Sequence, residues 1–209
     1  MRRPLAAAAV AALSAAVLLT SCGARDAAGA CNVTVSSADL VAARQQAGIA
    51  DCTAKDLAVD ASAPAAQLPT VPLGCLGSTA TAPLSDVKGP AIINFWSSTC
   101  GPCRKEMPAL AAFAKKYAGQ VTVVGVDYLE TYPGAALDLA QQSGVTYPLL
   151  ADACGDLQQT DLLQPPGLPY FYVVHPDGTV SKPIAGGLGS EQDIVDLAEH
   201  NGITLKQAG

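Results

Sequence analysis

The stretch that most constrains this chain is a short run of β-forming apolar residues, PAIINF at 90–95, which leads five residues later to Cys100 and then to Cys103. Beyond the cysteines, Leu110, Phe113, Ala114 and Tyr117 recur at helical spacing. The pair is therefore placed where a buried strand turns into a helix. A thiol there meets unpaired backbone N–H groups, which favour the thiolate and lower its pKa. The i, i+3 spacing lets the second thiol close a disulfide on the first, so the pair can carry two electrons by thiol–disulfide exchange. Gly101 and Pro102 shape the turn between them. The rival reading of a C-x-x-C pair is half of a zinc site, which needs a second ligand pair at similar spacing. The other cysteines stand singly and only His175 and His200 offer imidazole, so no metal site is expected.

Trp96 followed by Cys100-Gly-Pro-Cys103 resembles the thioredoxin active site. The further spacing of Cys103, Glu106 and Pro108 after a strand resembles the TlpA/ResA-like family of membrane-tethered, extracytoplasmic thiol–disulfide oxidoreductases, over about residues 68–201. The resemblance implies an α/β, thioredoxin-like fold: a central mixed sheet flanked by helices, with an N-terminal extension and hairpin and a βα insertion. It implies that Cys100 forms the mixed disulfide, that Cys103 resolves it, and that Trp96 shields the pair. Thioredoxins carry a buried aspartate where this chain has Asn94, which cannot accept a proton. Glu106 is the better base, because it lies nearly one helical turn beyond Cys103; burial near a thiol would raise its pKa toward neutrality. Pro108 is expected to interrupt and kink the helix.

The second diagnostic stretch is QPPGLPYFYVVH at 164–175. A proline opening an apolar strand is confined to its first position or an edge. The resemblance makes Pro169 the cis proline beside the disulfide, with Leu168 lending backbone groups to a docked substrate strand.

The remaining organisation follows in order. Arg2 and Arg3 precede an Ala/Leu/Val run at 5–19 that ends in Leu19-Thr20-Ser21-Cys22. This resembles a lipoprotein signal peptide at 1–21, with Cys22 as the lipidated residue and residues 22–30 as a flexible tether. Residues 31–67 form an extension and linker, with a short helix begun at Ser37 and stopped by Gly48 and a Pro/Ala linker stretch over 60–72. Residues 68–205 form the thioredoxin-like domain. Within it, residues 73–88 read as a hairpin and 121–127 as a buried strand. A helix opens at Pro133, and residues 145–150 return to the core. Residues 154–163 read as a short helix and 179–184 as a strand paired across the turn at 175–178. Gly186-Gly-Leu-Gly189 is a loop, and Ser190 with Asp193 is a capping box.

Seven cysteines suit an oxidising compartment. With Cys22 lipidated and Cys100 and Cys103 redox-active, Cys31, Cys52, Cys75 and Cys154 remain for two structural disulfides, and three pairings are open. Closing the Pro-rich linker favours Cys52–Cys75 with Cys31–Cys154. Twelve basic residues face eighteen acidic ones, with no basic run beyond Arg2 and Arg3, which argues against nucleic acid as a partner. The expected partners are thiols and disulfides of exported proteins, a membrane-embedded electron-exchange protein, and a membrane reached through the lipid anchor. No dissociable cofactor is needed beyond the Cys100–Cys103 disulfide. Rival readings fit less well. A peroxiredoxin would want Pro where Ile93 stands, a copper chaperone would want C-x-x-x-C, and a non-catalytic module would not need both cysteines.

Overall fold

The computed structural model describes residues 31–206. The expected leader at 1–21, Cys22 and the 22–30 tether lie outside the described residues. From Cys31 onward the chain is one compact unit, the 31–67 extension included. Among the described residues no helix is long and apolar enough to cross a membrane.

A seven-stranded mixed sheet is built around β3 (Ala91–Trp96). β3 runs parallel to β4 (Thr122–Tyr128) on one side and antiparallel to β6 (Tyr170–Val174) on the other. Beyond β4 lies the parallel β5 (Leu149–Asp152), then β1 (Pro72–Cys75) and β2 (Thr81–Pro83), both antiparallel to their neighbours. Past β6 lies a two-residue edge strand, β7 (Ile184–Ala185). Every residue of β3, β4, β5 and β6 is buried. Their nearly unbroken apolar runs are what a sheet covered on both faces requires.

Helix α2 (Gly101–Lys116) links β3 to β4, and α3 (Pro133–Gln142) links β4 to β5. Both crossovers step the same way along the sheet, so right-handedness puts both helices on one face. There α2 packs against α4 (Glu191–His200), and α3 against α1 (Ala38–Ala47). Ile92, Trp96, Val123, Leu149, Phe171 and Val173 meet this layer. Alternate residues of the same strands, among them Phe95, Val126, Leu150, Tyr170 and Tyr172, point the other way and are covered by the extension and hairpin through Cys52, Leu57, Ala66, Leu73 and Leu84. On that side Phe95 stacks on Tyr170 at 4.4 Å between ring centroids.

The expected short helix is α1, with Gly48 in the left-handed conformation at its end. The hairpin is β1–β2, and the capping box at Ser190 and Asp193 is formed. Several expectations are corrected. The Pro/Ala stretch 60–72 is not a free linker: Ala66 is buried, Gln67 N–H donates to Gly178 O at 2.9 Å, and Ala65 bridges to Lys88. Pro108 lies inside α2 without ending it. The return strand begins at Leu149, and the helix expected over 154–163 is one 3-10 turn, Asp156–Gln159. The strand expected over 179–184 is reduced to a bridge at Val180 and the pair at Ile184–Ala185. Between them the Ser181 hydroxyl takes the Val173 N–H at 2.9 Å, and Pro183 has no N–H to give to a ladder.

Two disulfides fasten the extension: Cys52 to Cys75, with Cα atoms 5.8 Å apart, and Cys31 to Cys154, at 5.5 Å. Cys52→Ser combined with Cys75→Ser is expected to lower stability by about 3 kcal/mol, the loop-closure contribution of a crosslink of this span. Urea unfolding monitored by circular dichroism measures it.

Candidate active site

β3 delivers the chain to the site, and the three residues after it are held on two sides. Ser98 donates its backbone N–H and its hydroxyl to Glu130 Oε2, at 3.0 and 2.5 Å. Arg104 donates to the Ser98 carbonyl at 3.2 Å. Glu130, buried just past the end of β4, also accepts the Tyr132 N–H at 3.0 Å, so one carboxylate ties the β4–α3 loop to the approach to Cys100.

Cys100 is the residue capping α2: its Sγ accepts the Cys103 N–H at 3.2 Å, and Pro102 stands in the first turn. Proline is tolerated there because that N–H has no helical partner. Cys100 and Cys103 are joined by a disulfide, with Cα atoms 5.3 Å apart. The two sulfurs differ in access. Cys100 is half-buried and flanked by exposed Thr99, Gly101 and Pro102, whereas Cys103 is 1% exposed. An incoming sulfur can reach only Cys100.

The Leu168–Pro169 peptide is cis, and Pro169 opens β6. Its carbonyl accepts the Gly186 N–H at 3.0 Å. A Cβ on Gly186 would lie 2.4 Å from Pro169 Cγ and 2.8 Å from Glu106 Oε1, so this glycine is where the proline and the glutamate meet. Glu106, on the inner face of α2, is 4% exposed. Its Oε1 accepts the N–H groups of Gly187 and of Leu188, the latter at 2.8 Å, while Oε2 is buried without a partner. Burial pushes the Glu106 pKa up, and the two amides hold it back.

Beside Pro169 opens a cleft of about 510 Å³, lined by Ser97, Tyr128, Leu129, Gln158, Leu168 and Tyr170 among others. Leu129 on its wall is 45% exposed. It is the one non-glycine residue in the left-handed region among the described residues, at φ 55°, and such backbone strain gathers at functional clefts.

The structure brings Cys100, Cys103, Glu106, Gly101, Pro102, Leu168 and Pro169 to one end of the sheet. Trp96 is fully buried in the helix-side core with Cys103 and Met107, so the expectation that it also contacts substrate is corrected: it packs beside the pair from within and offers no surface. The structural cysteines lie apart from this centre. Sequence reasoning missed Ser98, Arg104, Glu130, Asp127, Gly187 and Leu188. Two had a legible signal, because Asp127 lies near the end of an otherwise apolar run and Glu130 follows it closely. The backbone donors had none.

The profile of the AhpC/TSA family matches residues 59–182. The chain belongs to this family. It is 34% identical to the thiol-disulfide oxidoreductase ResA of Bacillus subtilis over 105 residues, which are 49% of this chain and 57% of ResA. To the thiol-disulfide oxidoreductase YkuV of the same organism it is 33% identical over 106 residues, 48% of this chain and 69% of YkuV. Among solved structures, MTB dsbF covers 64% of this chain and 98% of its own, at TM-score 0.55 and 23% identity. A secreted thiol-disulfide isomerase from Corynebacterium glutamicum covers 63% and 83%, at TM-score 0.54 and 23% identity. These likenesses establish the thioredoxin-like fold.

Asp127 provides a pH test. It is 1% exposed and its Oδ1 has no partner; burial, then the charge of Glu130, raises its pKa well above the usual carboxylate value. The folded state therefore keeps a proton that the unfolded chain releases above about pH 4, and stability falls as pH rises from there. Asp127→Asn is expected to show a shallower decline as pH rises above about 4, with the curves running parallel below it. Thermal melts across that range read the difference.

Proposed function

We propose that this protein is an extracytoplasmic thiol–disulfide oxidoreductase acting on cysteines of exported proteins. The observation that carries the reading is the disulfide at the start of α2, which joins a half-exposed sulfur to a wholly buried one. That asymmetry supports the following division of roles. In the reducing direction the Cys100 thiolate attacks a substrate disulfide, its S–S bond breaks, one substrate sulfur leaves as thiolate, and a mixed disulfide forms. Cys103, losing its proton toward Glu106, then attacks Cys100 Sγ and releases the second substrate thiol. The protein ends as the disulfide and the substrate as two thiols; the opposite direction reverses each step. No dissociable cofactor enters.

Leu168 and Pro169, with the adjoining cleft, form the docking wall for an extended substrate segment. The leader at 1–21, lipid at Cys22 and the 22–30 tether would hold the domain at the outer face of the membrane. A membrane-embedded partner would exchange electrons with it there. The names of the ResA and YkuV relatives support the chemistry.

Cys103→Ser is expected to trap a mixed disulfide with reduced, partly oxidised or scrambled protein substrates, visible on a non-reducing gel, whereas Cys100→Ser forms none. Glu106→Gln should slow insulin reduction about a hundredfold, the usual size of a lost proton-transfer group. Rapid peroxide consumption without insulin reduction would replace this reading with a thiol peroxidase.

Trp96 and Cys103 share one core cluster, so the fluorescence of the single tryptophan should report the redox state in thiol buffers. A midpoint near −270 mV, that of thioredoxin, assigns the reducing direction, and one near −120 mV, that of DsbA, the oxidising one (both about).

A further inference from the structure

Glu106 is held in a way the chemistry above does not by itself require. A carboxylate one turn beyond a buried thiol could rotate about its terminal bond and present either oxygen. Here it cannot, because the loop after β7 closes on one of them. Gly187 and Leu188 both donate backbone N–H groups to Oε1, and Oε2 is left buried with no partner. The loop can come this close only without a side chain at 186, since a Cβ there would strike Pro169 Cγ, Glu106 Oε1 and the Pro169 carbonyl at 2.4, 2.8 and 3.0 Å. Gly187, at φ 111°, then turns the chain through a conformation that L side chains rarely adopt, so that consecutive amides converge on one oxygen.

We propose that the 186–188 loop is the positioning element of this site: its paired amides pin Glu106 by Oε1 and leave Oε2 as the one oxygen that accepts and returns the proton of Cys103. The inference rests on the oxidoreductase reading above and deepens it. It names how the proton carrier is aimed, and it ties that aim to the docking proline through Gly186. Gly186, Gly187 and Leu188 touch neither sulfur in this role; they act through Glu106.

The electrostatic setting keeps the test clean. On α2, Arg104 and Lys105 are exposed, and the Cys103 thiol is the titratable group one turn away. β3 brings Asn94 and Trp96, which do not ionise, and β4 brings buried Asp127 to the same face of the sheet. β6 directs Tyr170 and Tyr172 to the opposite face. The loop itself carries no ionisable side chain. In the first turn of α4, Glu191 is paired with Lys116 at 2.6 Å and Asp193 with Ser190 in the capping box. No charged side chain contributes to the displacement of the Glu106 pKa.

The wild-type protein supplies the first measurement. In ¹H–¹⁵N spectra of the oxidised protein recorded across pH, the Gly187 and Leu188 amide protons should move together, with one shared midpoint. In Glu106→Gln both should be flat through that range. The second measurement is the titration of Cys103 in the reduced protein, read from the ¹³Cβ shift of that buried cysteine. Gly186→Ala pushes the loop off Oε1 and removes donors that favour the carboxylate; Glu106 then stays neutral to higher pH, and the Cys103 thiol, facing less negative charge, should titrate at lower pH than in wild type. The same substitution made in Glu106→Gln should move nothing.

Amides that do not titrate in the wild type, or that titrate equally in Glu106→Gln, overturn the proposal. So does a Gly186→Ala effect of the same size in both backgrounds, which would show the loop acting independently of Glu106. Absence of insulin reduction by the wild type, with the amide titration intact, overturns the oxidoreductase reading while the cradle stands.

Discussion

The dithiol end of this molecule depends on β3 having no free edge. Its six residues pair in parallel with β4, from Ala91 opposite Thr122 to Trp96 opposite Asp127, and five of them pair antiparallel with β6. A strand hydrogen-bonded on both sides and buried on both faces cannot slip, because a shift by one residue would turn Trp96 and Ile92 away from the helices and Phe95 and Ile93 into them. The end of the strand therefore sets where α2 can start. Only Ser97, Ser98 and Thr99 stand between that fixed point and Cys100, and Ser98 is held from both sides by Glu130 and Arg104. Geometry held to within a fraction of an ångström is what separates a reactive dithiol from a merely structural one.

Four carboxylates are buried at that end of the sheet, Asp152 among them with the Asp156 and Leu157 N–H groups on its two oxygens, and among the described residues none has a cation at salt-bridge distance. Glu130 is satisfied by two backbone N–H groups and a hydroxyl, Glu106 by two N–H groups at a single oxygen, and Asp127 leaves one oxygen bare. Buried carboxyl groups without cations drift toward the neutral form, and the pKa values of Glu106 and Asp127 move in that direction. A core chosen only for stability would place apolar side chains there. The acids mark the one end of the sheet where burial is not matched by apolar side chains.

Much of this was readable from residue order because it is local. The strand entering Cys100, the cap it provides, the stop at Gly48, the capping box at Ser190 and the proline opening β6 each rest on a few neighbouring residues. What was not readable depends on distant backbone. The sequence 186–189 has no chemistry of its own; it matters because the sheet brings it against α2, across about eighty residues of chain, as the spacing of Glu106 and Gly187 records. Trp96 misled for a related reason. Its place four residues before Cys100 suggested contact with substrate as well as a shield, but strand alternation turns position 96 inward with Ile92, into the cluster that holds Cys103. The 60–72 stretch looked like a linker by composition, yet its backbone groups find partners on Gly178 and Lys88. Composition reports how flexible a segment would be alone, and not what it lies against.

The bond between Cys31 and Cys154 also changes how the domain transmits force. It closes a covalent ring spanning 123 positions, and that ring contains β3, both redox cysteines and α2. β6, with Pro169 at its head, and α4 lie on the chain beyond it. Tension entering at Cys31 from the N-terminal side crosses directly to Cys154, just past the end of β5, and continues along the chain toward β6. The ring carries none of that load through its own backbone, so the strand and helix that hold the thiols are mechanically bypassed. A tug on the near end of the domain would strain the Pro169 side of the cleft before it disturbed the dithiol.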